Sequence, residues 1–305
     1  MQLMLDRAPA PRHAAGRMTT PPPPDLDSLP EARNAHFARA AAQKAVLGDV
    51  VRLVGTALLL ALGLRALVYE PFNIPSQSML PQLLVGDYLF VAKWPYGYGR
   101  YSFPLGLPLF DGRIAAAMPA RGDIIVFKTP RDNRTDFIKR VIGLPGDRIA
   151  MQAGVIILNG RPVTRQRRAD VILPPDGEDC NSGPGRPDFR SRGAAGHSIC
   201  RYPAFVETLA NGKRFAVIDQ IANDVRDTTE TIIVPAGHVF VLGDNRDDSA
   251  DSRFSAAEGG VGLVPTGNII GRADRIFFSI APSAHFSAPA GWRTALRSDR
   301  IGSHL

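Results

Sequence analysis

The chain has 305 residues, room for one large domain or two small ones, and with 45% hydrophobic content it can bury a sizeable core, which excludes wholesale disorder. A formal charge of +7 suits nucleic acid, an anionic membrane surface or an Arg-rich proteome equally, so the sign alone selects no partner. Two cysteines, Cys180 and Cys200, are too few for a disulfide framework and lack the Cys/His spacing of a zinc site; a single pair and two free thiols both stay open.

Residues 1–45 carry four prolines at Pro21–Pro24 and a scatter of Ala, Arg and Asp, which reads as a flexible tail. From Val46 to Val68 runs VLGDVVRLVGTALLLALGLRALV, whose uncharged centre lies between Arg52 and Arg65. Arginines near helix ends reach the headgroups, so this stretch of about 20 residues suffices to cross a bilayer. A buried core helix would need covering elements that the flanks do not offer. A cleavable signal peptide fails too, because the tail is too long for an n-region and Val68, Tyr69 and Glu70 offer no small-residue cleavage site. Arg33, Arg39 and Lys44 precede the span while Glu70 and Asp87 follow it, with Arg65 and Lys93 against the contrast. The positive-inside rule then places the N-terminus in the cytoplasm and the body after Tyr69 outside.

That body is a succession of short Val-, Ile- and Phe-rich runs, among them DYLFVAK, GDIIVFK, DFIKRVIG, HVFVLGD and DRIFFSI, punctuated by Gly, Pro, Asn and Asp. No helical period interleaves them, which argues against βαβ units. The fold class expected is mainly β: an extracytoplasmic antiparallel core over 69–159 and 231–286, a cap of Gly-, Pro- and Arg-rich loops inserted at 160–230, and a tail at 287–305. The basic run Arg165, Arg167, Arg168 has no aromatic interleaving and no nucleic-acid motif, so a solvated or lipid-facing surface is the reading and nucleic acid is not a partner.

Three polar stretches stand out. NIPSQSMLP, at 73–81, places Ser76 and Ser78 between prolines directly after the span, where an ordinary turn is the bland account. The chain has no G-x-S-x-G elbow. Its six histidines lack a partner motif, and His238, the best placed, sits at a strand start. In DFIKRVIG, Phe137, Lys139 and Val141 share one side of a strand; a lysine held among apolar groups has its pKa lowered by up to about 3 to 5 units and becomes a usable base. GDNRDDSADSR, ending at Arg253, fails the EF-hand pattern and reads as a surface loop held by Asp/Arg pairs.

Taken in order, NIPSQSMLP after a span, RGDIIVFK, KRVIGLPGD and GDNRDDSADSR resemble the boxes of bacterial type I signal (leader) peptidases, over roughly 64–279 without most of the insertion. The resemblance implies that Ser78 is a nucleophile, Lys139 its general base, and Ser76 an oxyanion donor beside the Ser78 backbone N–H. It further implies that Ser249 orients the lysine, that Asp251 and Arg253 brace the site, and that Asp244, Asn245 and Arg246 are structural. Phe72, Ile74, Pro75 and Ile138 match residues lining pockets for small side chains, the Ala-X-Ala rule. Such a protein needs no metal or cofactor; its partners are secreted preproteins and the lipid bilayer, and its place is the bacterial inner membrane, single-pass, with the catalytic domain on the periplasmic face. Gln77 and Gln82 stand where relatives commonly carry glycine and threonine, which bears on substrate preference. Other readings are a specialised maturation peptidase of a conjugation or secretion system and a non-catalytic, membrane-tethered β-module. A self-cleaving Ser/Lys repressor would need a DNA-binding domain in place of the tail and span.

Overall fold

The structure, a computed structural model, describes residues 30–103, 106, 112–174, 180, 188–193, 196, 198–222, 226–282 and 295–305. The proline run at 21–24, His13, His197, His285 and Trp292 lie outside the described residues. The chain divides into two units, one ending at Leu59 and the other running from Leu60 to Leu305.

Helix α1 spans Pro30–Leu67. The tail expected through residue 45 is thus corrected: its last third is helical, because residues 31–44 are rich in Ala, Arg, Glu and Gln, which lose little on entering a helix, and Pro30 suits a first turn. Within it, the 24-residue segment Ala42–Arg65 contains an 18-residue window of mean hydropathy 2.0, long and apolar enough to cross a membrane. None of that stretch is buried, which sets aside the core-helix account.

Among the described residues seventeen strands follow. In chain order they are β1 (Tyr69–Asn73), β2 (Asp87–Ala92), β3 (Tyr98–Gly99), β4 (Arg113–Ile114), β5 (Ile124–Lys128), β6 (Asp136–Gly143), β7 (Arg148–Gln152), β8 (Val155–Leu158) and β9 (Arg161–Pro162). Then come β10 (Thr164–Leu173), β11 (Arg190–Arg192), β12 (Ser198–Thr208), β13 (Arg214–Ile218), β14 (Ile232–Ile233), β15 (His238–Leu242), β16 (Val264–Pro265) and β17 (Ile269–Ser279). The principal sheet has seven strands in the order β1-β2-β17-β5-β6-β15-β16, paired antiparallel throughout. Its inner strands read as near-continuous apolar runs because both faces are covered. Ile124, Val126 and Ile276 face one cluster with Met79 and Leu83, while Ile125, Phe127, Val141 and Val239 face another.

The chain leaves this sheet after Gly143 and rejoins it at His238, a wider excursion than 160–230. It forms two smaller sheets on the way, β14-β7-β8-β9 and β10-β12-β11 with β13 on β12. Cys180 and Cys200 are paired, with Cα atoms 5.3 Å apart. This pair packs with Phe189, Tyr202 and Ile218 against Leu80 and Leu84, so the excursion props the segment that carries Ser78.

Candidate active site

Strand β1 ends at Asn73, and the chain makes a tight excursion before entering β2 at Asp87; Ile74 N–H donates to Asp87 O and Gly86 N–H to Ile74 O, closing its base. Met79 and Leu83 are fully buried and anchor this loop, which leaves Ser76 exposed and Ser78 at 7% exposure on its inner side. The loop is tied from behind by one residue, through its backbone and its side chain. Asn245 N–H donates to Ser78 O at 3.1 Å and Asn245 Nδ2 donates to Gln77 O at 3.2 Å.

Strand β6 brings Lys139 opposite Ile125, and its Nζ lies 2.7 Å from Ser78 Oγ and 2.9 Å from Ile138 O. The amine is buried, 5.3 Å from the Phe137 ring centre, with no carboxylate in salt-bridge contact among the described residues. Burial therefore dominates and lowers its pKa from 10.5 to about 8, while Asp251, Asp244 and Asp248 pull less strongly in the opposite direction. Ser76 Oγ stands 3.3 Å from Ser78 Oγ, so the three side chains meet at one point.

They meet in a groove of about 540 Å³ lined by Phe72, Asn73, Ile74, Pro75, Ser76, Ser78, Val126, Thr135, Phe137, Ile138 and Lys139, with Asp136, Asp248 and Ala250. All four residues expected in the small-side-chain pockets are there. Polar groups at one end and an apolar floor suit a substrate of small side chains held beside a reactive oxygen.

The stretch from Asp244 to Arg253 is not the surface loop expected. Asp244, Asn245, Arg246, Asp247 and Asp251 are at most 1% exposed. The reason is distant pairing: Arg140 clamps Asp244 at 2.7 and 2.6 Å, and Arg246 clamps Glu207 at 2.8 and 2.5 Å. Arg253 holds Asp251 within the stretch at 2.9 Å through both Nε and Nη2. Burial alone would push the Asp251 carboxyl up, but the Arg253 guanidinium and the Gly243 N–H hold it below the usual range. Among the described residues Ser249 Oγ is buried and completes no hydrogen bond; Lys139 Nζ is bonded instead to Ser78 and Ile138.

Sequence reasoning did not single out Gly243, Asn245's grip on the loop, or Glu207. A Cβ on Gly243 would fall 2.2 Å from Ser249 Oγ and 2.6 Å from Ser78 O, so the Ser78 backbone approaches only because that side chain is missing. The glycine's place between HVFVL and DN was a visible cue; Glu207, 39 residues from Arg246, left none. His238 starts β15, as expected, and does not line the groove. Arg165 and Arg167 pair with Asp219 and Asp170, so much of the basic run is internally engaged. The acidic trio Asp219, Asp227 and Asp247 has ligand atoms within 4.8 Å of one another, but it lies away from the groove and Arg165 occupies Asp219.

The family model "Signal peptidase, peptidase S26" matches residues 47–278. The chain is 39% identical to a signal peptidase I of Rickettsia typhi, over 72% of this chain and 76% of that protein. It is 38% identical to one from Rickettsia conorii, over 72% and 75% respectively. Among solved structures, a signal peptidase I from Enterococcus faecalis V583 is 25% identical, covering 51% of this chain and 97% of the other, with a TM-score of 0.27.

Proposed function

This chain belongs to the signal peptidase family, peptidase S26, whose members are serine endopeptidases, and on that premise we propose that it removes N-terminal signal peptides from exported preproteins after small residues, with Ser78 as nucleophile and Lys139 as general base. The observation that carries this reading is the 2.7 Å approach of Lys139 Nζ to Ser78 Oγ inside the groove.

An amine with a pKa of about 8 is neutral in roughly a tenth of molecules at pH 7, against one in a few thousand for an unperturbed lysine. Neutral Nζ takes the Ser78 proton as Oγ bonds to the scissile carbonyl carbon, and the carbonyl π pair moves onto oxygen. The Ser76 hydroxyl and the Ser78 N–H donate to that oxyanion, each worth about 3 kcal/mol in the transition state. Collapse breaks the C–N bond, and Lys139 returns the proton to the leaving amine. Water, deprotonated by the same lysine, then cleaves the acyl-enzyme ester. Asp251 and Arg253 brace the wall, and Ser249 beside them orients the lysine in the working state.

Phe72, Ile74, Pro75 and Ile138 restrict the residues one and three before the cut to small side chains by overlap with larger ones. Strand β1 is an edge of the principal sheet, so an extended substrate can add to it through backbone hydrogen bonds. Residues 160–230 serve as a cap that braces the nucleophile loop, through Tyr202 and the Cys180–Cys200 pair against Leu80 and Leu84. The Ala42–Arg65 segment anchors the chain in the bacterial inner membrane, with Arg33, Arg39 and Lys44 on the cytoplasmic side and the catalytic body on the periplasmic side. A substrate's apolar region would stay in the bilayer while its cleavage site emerges at that face.

The test is cleavage of a preprotein bearing an Ala-X-Ala site by the detergent-purified chain beside Ser78→Ala and Lys139→Ala, with the product's N-terminus sequenced. Cleavage after the second alanine that vanishes in both variants is the expected result. Cleavage that survives Ser78→Ala with contaminants excluded would show that the nucleophile is another residue.

A further inference from the structure

A second cavity, of about 730 Å³, adjoins the groove and shares Phe72 and Asp136 with it. Leu62 and Arg65, near the end of α1, also line it. The cavity therefore joins the end of the apolar helix to the wall of the groove that holds Ser78. Strand β1 sets the path between them. Glu70, Phe72 and, just past the strand, Ile74 alternate onto one side of the chain; Glu70 lines the second cavity, Ile74 the groove and Phe72 both. A substrate that leaves the bilayer and reaches Ser78 runs along β1 in the strand's own direction. With its residues one and three before the cut in the small-side-chain pockets, residues about five to seven before the cut enter the second cavity.

The charged lining of that cavity, among the described residues, is Arg65, Arg100, Lys128 and Arg134 against Glu70, Asp132 and Asp136. All three carboxylates are engaged. Glu70 lies 3.1 Å from Arg65 and 3.0 Å from Lys93 Nζ, and Asp136 pairs with Lys128 at 2.8 Å. Asp132 is held within its own turn, accepting from Thr135 Oγ1 and from the backbone N–H groups of Arg134 and Thr135. Two cations remain without a carboxylate among the described residues. Arg100 donates through Nε to the Gly106 carbonyl at 3.0 Å and lies over the Tyr101 ring, and the exposed Arg134 guanidinium makes no hydrogen bond or ion pair. The turn that carries Arg100 is fixed in place, because buried Lys93 also donates to Ser102 O. A negative group entering the cavity meets these two guanidinium groups, and a positive one meets like charge. The end of a substrate's apolar helix brings such a group in any case, since its last carbonyls carry partial negative charge.

We infer that the second cavity receives the substrate segment between the apolar region and the cleavage site, and that Arg100 and Arg134 favour acidic over basic side chains about five to seven residues before the cut. The inference rests on the proposed function and deepens it, adding a charge rule upstream of the size rule. Continuity with the groove favours this occupant over a lipid phosphate, which the same guanidinium groups would also hold.

The experiment uses the full chain in neutral detergent and one Ala-X-Ala preprotein, with Glu, Gln or Lys placed singly at the fifth, sixth and seventh residues before the cut. At one or more of these positions the wild type is expected to show a kcat/KM about fivefold higher for Glu than for Lys, shrinking as salt rises to about 0.5 M. Arg134→Gln, at an exposed position, lowers that ratio by itself, and adding Arg100→Gln brings it within about twofold, with the circular-dichroism melt of each variant checking its fold. Arg131→Gln, on the same β5–β6 turn but outside the cavity, keeps the preference. The inference is overturned if the wild type cuts the Gln substrates yet shows no Glu/Lys preference, if the preference survives Arg134→Gln undiminished, or if Arg131→Gln removes it equally. A headgroup site replaces it if phosphatidylglycerol added to the micelles speeds the wild type but not the double variant while no preference appears. Failure of the wild type to cut any of these substrates sinks the peptidase reading and this one with it.

Discussion

Lys139 shows how one side chain acquires a function through its surroundings. Burial lowers its pKa to about 8, and the neutral amine is the competent form, so kcat/KM is expected to rise with pH. Between pH 6 and 8 the neutral fraction grows roughly 50-fold and then levels off, and an acid limb measured on a neutral substrate checks this. Lys139→Ala, which removes the base, should cost roughly 10³-fold or more. Gly243 acts by absence. In Gly243→Ala the new Cβ would press on Ser249 Oγ and on Ser78 O, so the loop must shift, and a fall in kcat/KM of roughly 100-fold is expected with the fold retained by circular dichroism. Lys139 was legible through the resemblance carried by KRVIGLPGD, since by period alone it reads equally as the solvated side of a half-buried strand. Gly243 left only its place between HVFVL and DN as a cue, since one of the groups it avoids, Ser78 O, lies more than 160 residues earlier.

At the scale of an element, the loop after β15 is the structural hub. A run with four carboxylates and two arginines between Asp244 and Arg253 reads as solvated, yet most of it is buried because each guanidinium finds a carboxylate in matching fork geometry. Two of the three clamps reach other strands, Arg140 on β6 and Glu207 on β12. Removing one partner strands the other's charge in the interior. Glu207→Gln is expected to cost about 3–5 kcal/mol, read from the urea midpoint, because Arg246 keeps its charge without its counterion. The strands themselves were mostly readable: the apolar runs that become β2, β5, β6, β15 and β17 stand where the sequence marks them. The long β10 and β12 were less evident, since TRQRRADVIL spends charged residues on an exposed strand whose pairing, not its composition, makes it β.

Over the whole molecule, two chain segments separated by the excursion from Gly143 to His238 supply Lys139 and the loop that carries Asn245, and both converge on Ser78 after β1. The excursion is stapled to the back of that serine's loop by the Cys180–Cys200 pair. Replacing both cysteines by alanine should lower stability by about 3 kcal/mol, the loop-closure entropy of a 20-residue separation, and a thermal scan against the wild type with and without reductant measures it. The sequence by itself determined the apolar helix and the β class, and through its boxes the family, because hydrophobic period and short motifs are local properties of the chain. Only the tertiary structure decided that the cysteines pair, that the acidic loop is buried, and that Asn245 and Gly243 set the position of the Ser78 backbone. Those outcomes depend on which groups meet across long separations, and no local pattern encodes the partner that a buried charge or a missing side chain will face.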